Sequence, residues 1–212
     1  MTTDFILEPR QIESESMRII RDGLTRPWLQ ADYPIVERII HTTGDPSLES
    51  SIAIHPKAIA CGLEALKEGA TVITDVEMVR AGIAKEKLKS LGGSVECFLN
   101  SPEVPEQAKA WGITRSMTAF RMNAERLRGS IVAIGNAPTA LVEVLRLAKN
   151  PETRPALIIG IPVGFIGAKE SKDLLWERQE FPSITVLGTR GGSPVAATVV
   201  NALIYAILKQ LK

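Results

Sequence analysis

The chain has 212 residues, 45% hydrophobic and 23% charged, with 25 basic residues against 24 acidic ones and a net charge of +1. That is enough apolar material for a sizeable buried core. The even balance excludes the global positive field and the basic runs that track nucleic-acid phosphates, so an acidic ligand must be met by local groups. Cys61 and Cys97 are too few and too far apart for a disulfide scaffold or zinc site, and they suit a reducing compartment. Met1-Thr2-Thr3-Asp4 lacks a charged-then-apolar leader pattern, and no run of 18 apolar residues could span a bilayer, so the expected setting is the cytoplasm with no membrane partner. Aromatic residues make up only 5%, and a core built of Ala, Ile, Val and Leu favours layered α/β packing.

Glu8-Pro9 opens the first predicted helix, which runs to about residue 24 with Ile12, Met17, Ile19, Ile20 and Leu24 near helical spacing and Gly23 at its end. Ser14 and Ser16 are small hydroxyls on that helix, able to donate to carboxylates if a pocket lies beside them. Pro27 starts a connector. A second helix is expected from Asp32, a plausible N-cap, to His41, with Ile35, Val36, Ile39 and Ile40 as its buried stripe. It breaks at Gly44-Asp45-Pro46. From periodicity alone a histidine at such an end reads more readily as a helix C-terminal group or a core residue. The chain has only two histidines, however, and the other, His55, precedes a proline at a helix start. His41 is therefore the candidate for proton chemistry near neutral pH, and Asp45 and the helix C-terminus would favour its charged form.

Ser51–Ile54 is a short apolar stretch before a helix from Pro56 to about Glu68. Short buried strands then alternate with helices. The strands are Thr71–Thr74, Ser94–Cys97, Ile131–Ile134, Ala156–Gly160 and Ile184–Leu187. The helices cover 76–91, 105–128, 139–149, 169–177 and 194–209. This alternation predicts an α/β protein, a three-layer α/β/α arrangement with a mainly parallel sheet of about five strands, plus an N-terminal helical segment. One domain over 1–212 is expected, with residues 1–55 carrying His41 and 56–212 forming the sheet core.

In open α/β sheets ligands bind beyond the carboxyl ends of the strands. Asp75–Met78, Gly135–Thr139, Pro162–Lys172 and Gly188–Pro194 lie there, and glycine-rich turns running into helices expose backbone N–H groups to anions. Gly135-Asn136-Ala137-Pro138-Thr139 reads equally as a tight turn capped by Thr139 and as an anion seat. In Arg190-Gly191-Gly192-Ser193-Pro194 a two-glycine turn is joined by a guanidinium fork suited to carboxylate or phosphate. Gly164–Lys172 lacks the Gly-Lys-Ser/Thr ending of a nucleotide loop, and no Gly-x-Gly-x-x-Gly follows the first strand, so a dinucleotide cofactor is disfavoured. Thr114–Asn123, with Arg115 and Arg121 among methionines and Phe120, suits either an ordinary amphipathic helix or the rim of a pocket for a large, partly apolar, acidic ligand. No serine nucleophile elbow occurs, and two histidines do not supply clustered metal ligands. What remains is acid–base chemistry with anion positioning.

Taken together, Ile12–Ser16, Arg38–Asp45, Asp75–Met78, Gly135–Thr139, Pro162–Phe165 with Ala168–Lys172, and Arg190–Pro194 resemble the precorrin-8X methylmutase (cobalt-precorrin-8 methylmutase) family, in order and over nearly the whole chain. The resemblance implies an isomerase of vitamin B12 biosynthesis that moves a methyl group from C11 to C12 of ring C, turning precorrin-8X or cobalt-precorrin-8 into hydrogenobyrinate or cobyrinate. It also implies a homodimer with the tetrapyrrole near the subunit interface, and His41 as general acid. Ser16 and Arg115 match positions expected to touch the ligand. The family's glycine-rich loops map onto Gly135–Thr139, with Asn136, and onto Arg190, Gly191, Gly192 and Ser193. Ser14 and Thr42 lie in matching segments and complete the expected substrate contacts. No metal or other cofactor is implied. Two alternatives stay open: a non-catalytic corrinoid-binding or carrier protein, and a phosphate-handling enzyme built on Gly164–Lys172.

Overall fold

A computed structural model describes residues 6–210; the Met1–Asp4 start considered above lies outside the described residues. Six strands form one sheet: β1 (Ile52–Ile54), β2 (Thr71–Thr74), β3 (Ser94–Glu96), β4 (Ile131–Ile134), β5 (Leu157–Gly160) and β6 (Ser183–Val186). Their order is β1-β6-β5-β4-β2-β3. All neighbours are parallel except β1, which pairs antiparallel with β6 in the register Ile52 to Val186 and Ile54 to Ile184. The sheet therefore has one strand more than expected. Ser51–Ile54 is too short to show a period, and only the free edge of β6 makes it a strand.

Side chains alternate across the central strands. Ile131, Ala133, Leu157, Ile159 and Ile184 face one core, packed by α2 (Tyr33–Thr43), α3 (Ala58–Lys67), α4 (Glu77–Gly82) and α10 (Ser193–Gln210). Val132, Ile134 and Ile158 face the other, packed by α7 (Arg115–Met122), α8 (Pro138–Leu147) and α9 (Ala168–Arg178). Because both faces are covered, β2, β4 and β5 carry apolar residues at consecutive positions, as buried parallel strands do.

Two long predicted helices are broken. The 76–91 segment is α4 followed by α5 (Lys85–Ser90). The interruption is held by Asn201 of α10, which accepts from the Ala84 amide (2.8 Å) and donates to the Gly82 carbonyl (2.9 Å). The 105–128 segment is α6 (Val104–Trp111), α7 and a short 3-10 turn at Ala124–Leu127. Gly112 ends α6 in the left-handed conformation (φ 63°), and the Thr114 hydroxyl caps α7 by accepting from the Met117 amide.

The N-terminal helices place His41. α2 buries Ile35, Val36, Ile39 and Ile40 against the sheet side, and Gly44 (φ 63°) stops it. α1 (Pro9–Asp22) lies on α2 but buries none of its residues fully. Of its predicted stripe, Met17 and Ile20 are half-buried, whereas Ile12 and Ile19 are 44% and 60% exposed. The connector between these helices is tied down by Glu49. Its carboxylate accepts from the Thr25 and Arg26 amides, the Thr25 hydroxyl and the Trp28 indole N–H, all at 2.8–3.0 Å.

Candidate active site

His41 lies in the last turn of α2 and is exposed. It lines a cavity of about 250 Å³ with Ser16, Ile19 and Ile20 of α1, Ile40, Gly44 and Pro46. The apolar positions of α1 thus wall a cavity more than they build a core. The Ser16 hydroxyl is bound to the Ile12 carbonyl at 2.7 Å and still offers its lone pairs. Ser14 is not brought to this cavity. Two residues along a helix turn the side chain by about 200°, and Ser14 lines a separate hollow with Met17, Arg18, Arg21 and Glu37. Thr42 turns to α10, donating to the Thr198 hydroxyl at 3.0 Å.

No ion pair joins Asp45 to His41 among the described residues. Its carboxylate caps Ser47, accepting from that residue's amide and hydroxyl, and forms an ion pair with Arg190. The Ser47 hydrogen bonds and the Arg190 guanidinium hold the Asp45 carboxyl below the usual aspartate value. Arg190 also donates to the Ser47 hydroxyl at 3.0 Å. The loop after β6 is thereby pulled to the end of α2, although 145 residues separate the two partners.

That loop is stitched to the loop after β5. The Gly192 amide donates to the Ile161 carbonyl (2.9 Å) and the Gly164 amide to the Thr189 carbonyl (3.0 Å). Gly191 (φ 152°) admits no side chain, because a Cβ there would lie 2.5 Å from the Ile161 carbonyl oxygen. Ser193, 6% exposed, begins α10. Gly135 sits against it so closely that a Cβ at Gly135 would fall 2.7 Å from the Ser193 Cα.

The amides of Gly135, Asn136 and Ala137 are already occupied. Asp75, 2% exposed at the end of β2, accepts from all three at 3.0, 2.8 and 2.7 Å. Burial pushes its carboxyl up from the ordinary aspartate value, against the pull of these donors. The crevice between β2 and β4, where the strand order reverses and ligands of open sheets usually sit, is bridged by the chain's own carboxylate. Of the two sequence readings of this turn, the anion seat is filled by Asp75 at its three amides, while the Asn136 side chain is exposed. Further along the rim the Thr114 and Thr139 hydroxyls meet at 2.9 Å, and Arg115 donates to the Leu99 carbonyl and the Asn100 side chain (3.2 and 3.4 Å). Arg115 belongs to α7, which packs on the face of the sheet opposite the one that α2 covers. Among the described residues no group of three or more His, Cys, Asp or Glu side chains is placed to hold a metal ion, and no helix is long and apolar enough to cross a membrane.

Comparison with known proteins decides the family of the chain. A family model described as precorrin-8X methylmutase matches residues 11–206. The chain belongs to the precorrin-8X methylmutase family. It is 40% identical to the cobalt-precorrin-8 methylmutase of Priestia megaterium over 93% of this chain and 88% of that one. It is 39% identical to the precorrin-8X methylmutase of Pseudomonas aeruginosa, over 94% and 97%. A crystal structure of precorrin-8x methyl mutase from Thermus thermophilus superposes with a TM-score of 0.84 at 31% identity, covering 95% of this chain and 99% of that one. The chain is accordingly an isomerase of B12 biosynthesis, with the mixed, mainly parallel sheet of its family.

Sequence reasoning set Asp75 beyond the end of a strand and in a matching segment but gave it no role, and it passed over Ser47 and the part of Ile19, Ile20 and Pro46 as cavity walls. Asp75 carried a signal, a carboxylate directly after a buried strand. The walls did not, because their spacing is that of any amphipathic helix.

Proposed function

We propose that this methylmutase moves the methyl group of its tetrapyrrole from C11 to C12 of ring C, acting on precorrin-8X or cobalt-precorrin-8, with His41 as general acid. The observation that carries the reading is the cavity itself: one titratable, exposed imidazole set among Ile19, Ile20, Ile40 and Pro46, with the Ser16 hydroxyl beside it. A contracted tetrapyrrole is a broad apolar ring edged with carboxylates. The isoleucines and proline offer an apolar floor, and Arg190 a guanidinium fork. His41 lends a proton to the macrocycle, which makes the ring electron-poor and lowers the barrier to the methyl shift. The proton then returns to the imidazole, as an isomerisation requires. Such a donor contributes about 10²–10⁴-fold, and the rest of the acceleration comes from holding the ring in a reactive geometry. Ser14, Ser16, Thr42, Arg115, Asn136, Arg190, Gly191, Gly192 and Ser193 are the proposed substrate contacts.

The working form in this proposal is a cytoplasmic homodimer of single-domain chains, with the ligand near the interface. About 250 Å³ falls below even the roughly 300–1,000 Å³ of pockets for drug-sized ligands, so the ring needs further walls. Ile12 and Ile19, and Phe165 and Ile166 at 92% exposure each, are apolar surfaces that a second copy would cover. Two free, half-buried cysteines suit a reducing compartment.

The test is anaerobic turnover of metal-free precorrin-8X and cobalt-precorrin-8, followed by absorbance, with wild type and His41→Ala. Rearrangement by wild type and its loss in the variant, with hydrogenobyrinate still bound, is the expected result. Equal turnover by both proteins would remove His41 from the chemistry, and binding without turnover in either would favour a corrinoid carrier.

A further inference from the structure

Lys172 is the largest fully buried side chain among the described residues, at 0% exposure. It sits in the second turn of α9, and its Nζ donates to the main-chain carbonyl of Arg190 at 2.7 Å. A buried ammonium is costly unless something in the structure needs it. It forms no ion pair with a carboxylate among the described residues, and burial alone brings its pKa down to about 8. The group it holds is the residue whose guanidinium reaches to Asp45 and Ser47 at the end of the His41 helix. Beyond Arg190 the chain passes through Gly191 and Gly192, at φ 152° and 119°, conformations that side-chain-bearing residues rarely adopt. Two glycines in succession do not hold a direction by themselves. Besides the Arg190 guanidinium's bonds to Asp45 and Ser47, three bonds hold the main chain of the loop around Arg190: the Gly192 amide to Ile161, the Thr189 carbonyl to Gly164, and the Arg190 carbonyl to Lys172. Of these three main-chain bonds only the last comes from a side chain, and it acts on the residue whose guanidinium reaches Asp45 and Ser47.

We propose that Lys172 is a positioning residue: by gripping the Arg190 carbonyl from beneath, it sets the Gly191–Gly192 turn and so aims the Arg190 guanidinium at a carboxylate of the tetrapyrrole. Lys172 itself touches no substrate. Its effect falls on capture of the acidic ring edge and leaves the proton transfer at His41 alone. The inference rests on the reading of Arg190 as a substrate contact, and the experiment separates the two.

The experiment is a double-mutant cycle on precorrin-8X turnover with wild type, K172M, R190A and the double variant, reading KM and kcat separately alongside thermal melting. Methionine matches the length of the lysine stem and removes the donor and charge. Replacing a buried charge by an apolar side chain of similar volume is often neutral or stabilising, so K172M is expected to melt no lower than wild type. Its KM should rise about tenfold, with kcat within threefold. In the R190A background K172M should change KM by less than threefold, because the group it aims is gone. K172R, which keeps a long cationic donor, should recover most of the KM. If K172M does not fold, K172Q, whose amide is too short to reach the Arg190 carbonyl, carries the same expectation. Independent KM effects of the two substitutions, or a loss in kcat with KM unchanged, would overturn the role of Lys172 while leaving Arg190 a substrate contact. An unchanged KM in R190A would overturn both.

Discussion

At the scale of single residues the chain separates groups held in place from groups left available. Glu49 is held: burial works against its charge, but four donors from the α1–α2 connector outweigh that and bring its carboxyl down from 4.5 to about 2. Since the folded value lies below the unfolded one, this residue stabilises the fold fully above pH 4.5, and the contribution disappears as pH falls toward 2. Glu49→Gln is therefore expected to destabilise by about 2–3 kcal/mol at neutral pH and to flatten the acid limb of stability measured by urea unfolding between pH 5 and 2. His41 belongs to the other group. His41→Ala is expected to lower kcat by about 10²–10⁴-fold with hydrogenobyrinate affinity within a few-fold, checked by absorbance titration. Its place at a helix end was legible in the chain, because an apolar period of 3.6 ran into Gly-Asp-Pro. The Arg190–Asp45 pair beyond that helix end was not, since 145 residues separate its partners.

At the scale of elements the glycine-rich turns have different fates. The turn after β4 is closed by Asp75, whose three amide bonds join β2 to the start of α8. Asp75→Asn places an N–H₂ group against backbone N–H donors and is expected to cost about 2 kcal/mol or more, read as a lowered melting temperature with KM changed little in the surviving folded protein. The turn after β6 carries Arg190, whose guanidinium is paired with Asp45 and Ser47. Gly191→Ala is expected to destabilise by about 2 kcal/mol or more, because a side chain must enter both a disfavoured φ and the 2.5 Å gap to the Ile161 carbonyl oxygen; denaturant unfolding measures it. Glycine content and position do not distinguish the two turns. What distinguishes them is the residue that folding places opposite: a carboxylate in one, a lysine ammonium in the other. The breaks inside the predicted helices divide similarly. Gly112 and Thr114 spell out the end of α6 and the cap of α7 in the sequence itself, whereas the break after Gly82 is set by Asn201, more than 100 residues away.

At the scale of the whole molecule, Phe165 and Ile166 in the β5–α9 loop are, at 92% each, the most exposed large apolar side chains among the described residues, and Ile12 and Ile19 leave α1 with exposed apolar surface. If these form the proposed dimer contact, sedimentation equilibrium will return twice the 23.0 kDa chain mass, and replacing Phe165 and Ile166 by aspartate will shift the protein toward the monomer and raise KM for the tetrapyrrole. A wild-type monomer at micromolar concentration would contradict the dimer. The sequence by itself determined the layered α/β class, the parallel core strands and the candidate histidine, because these depend on periodicity and short-range turn chemistry, which act between near neighbours. Only the tertiary structure decided that β1 joins the sheet edge, that Asp75 fills one anion seat, and that Lys172 and Asp45 grip Arg190 from two sides. Those outcomes depend on which groups distant in the chain meet within about 3 Å, the reach of a hydrogen bond, and local pattern carries no information about such meetings.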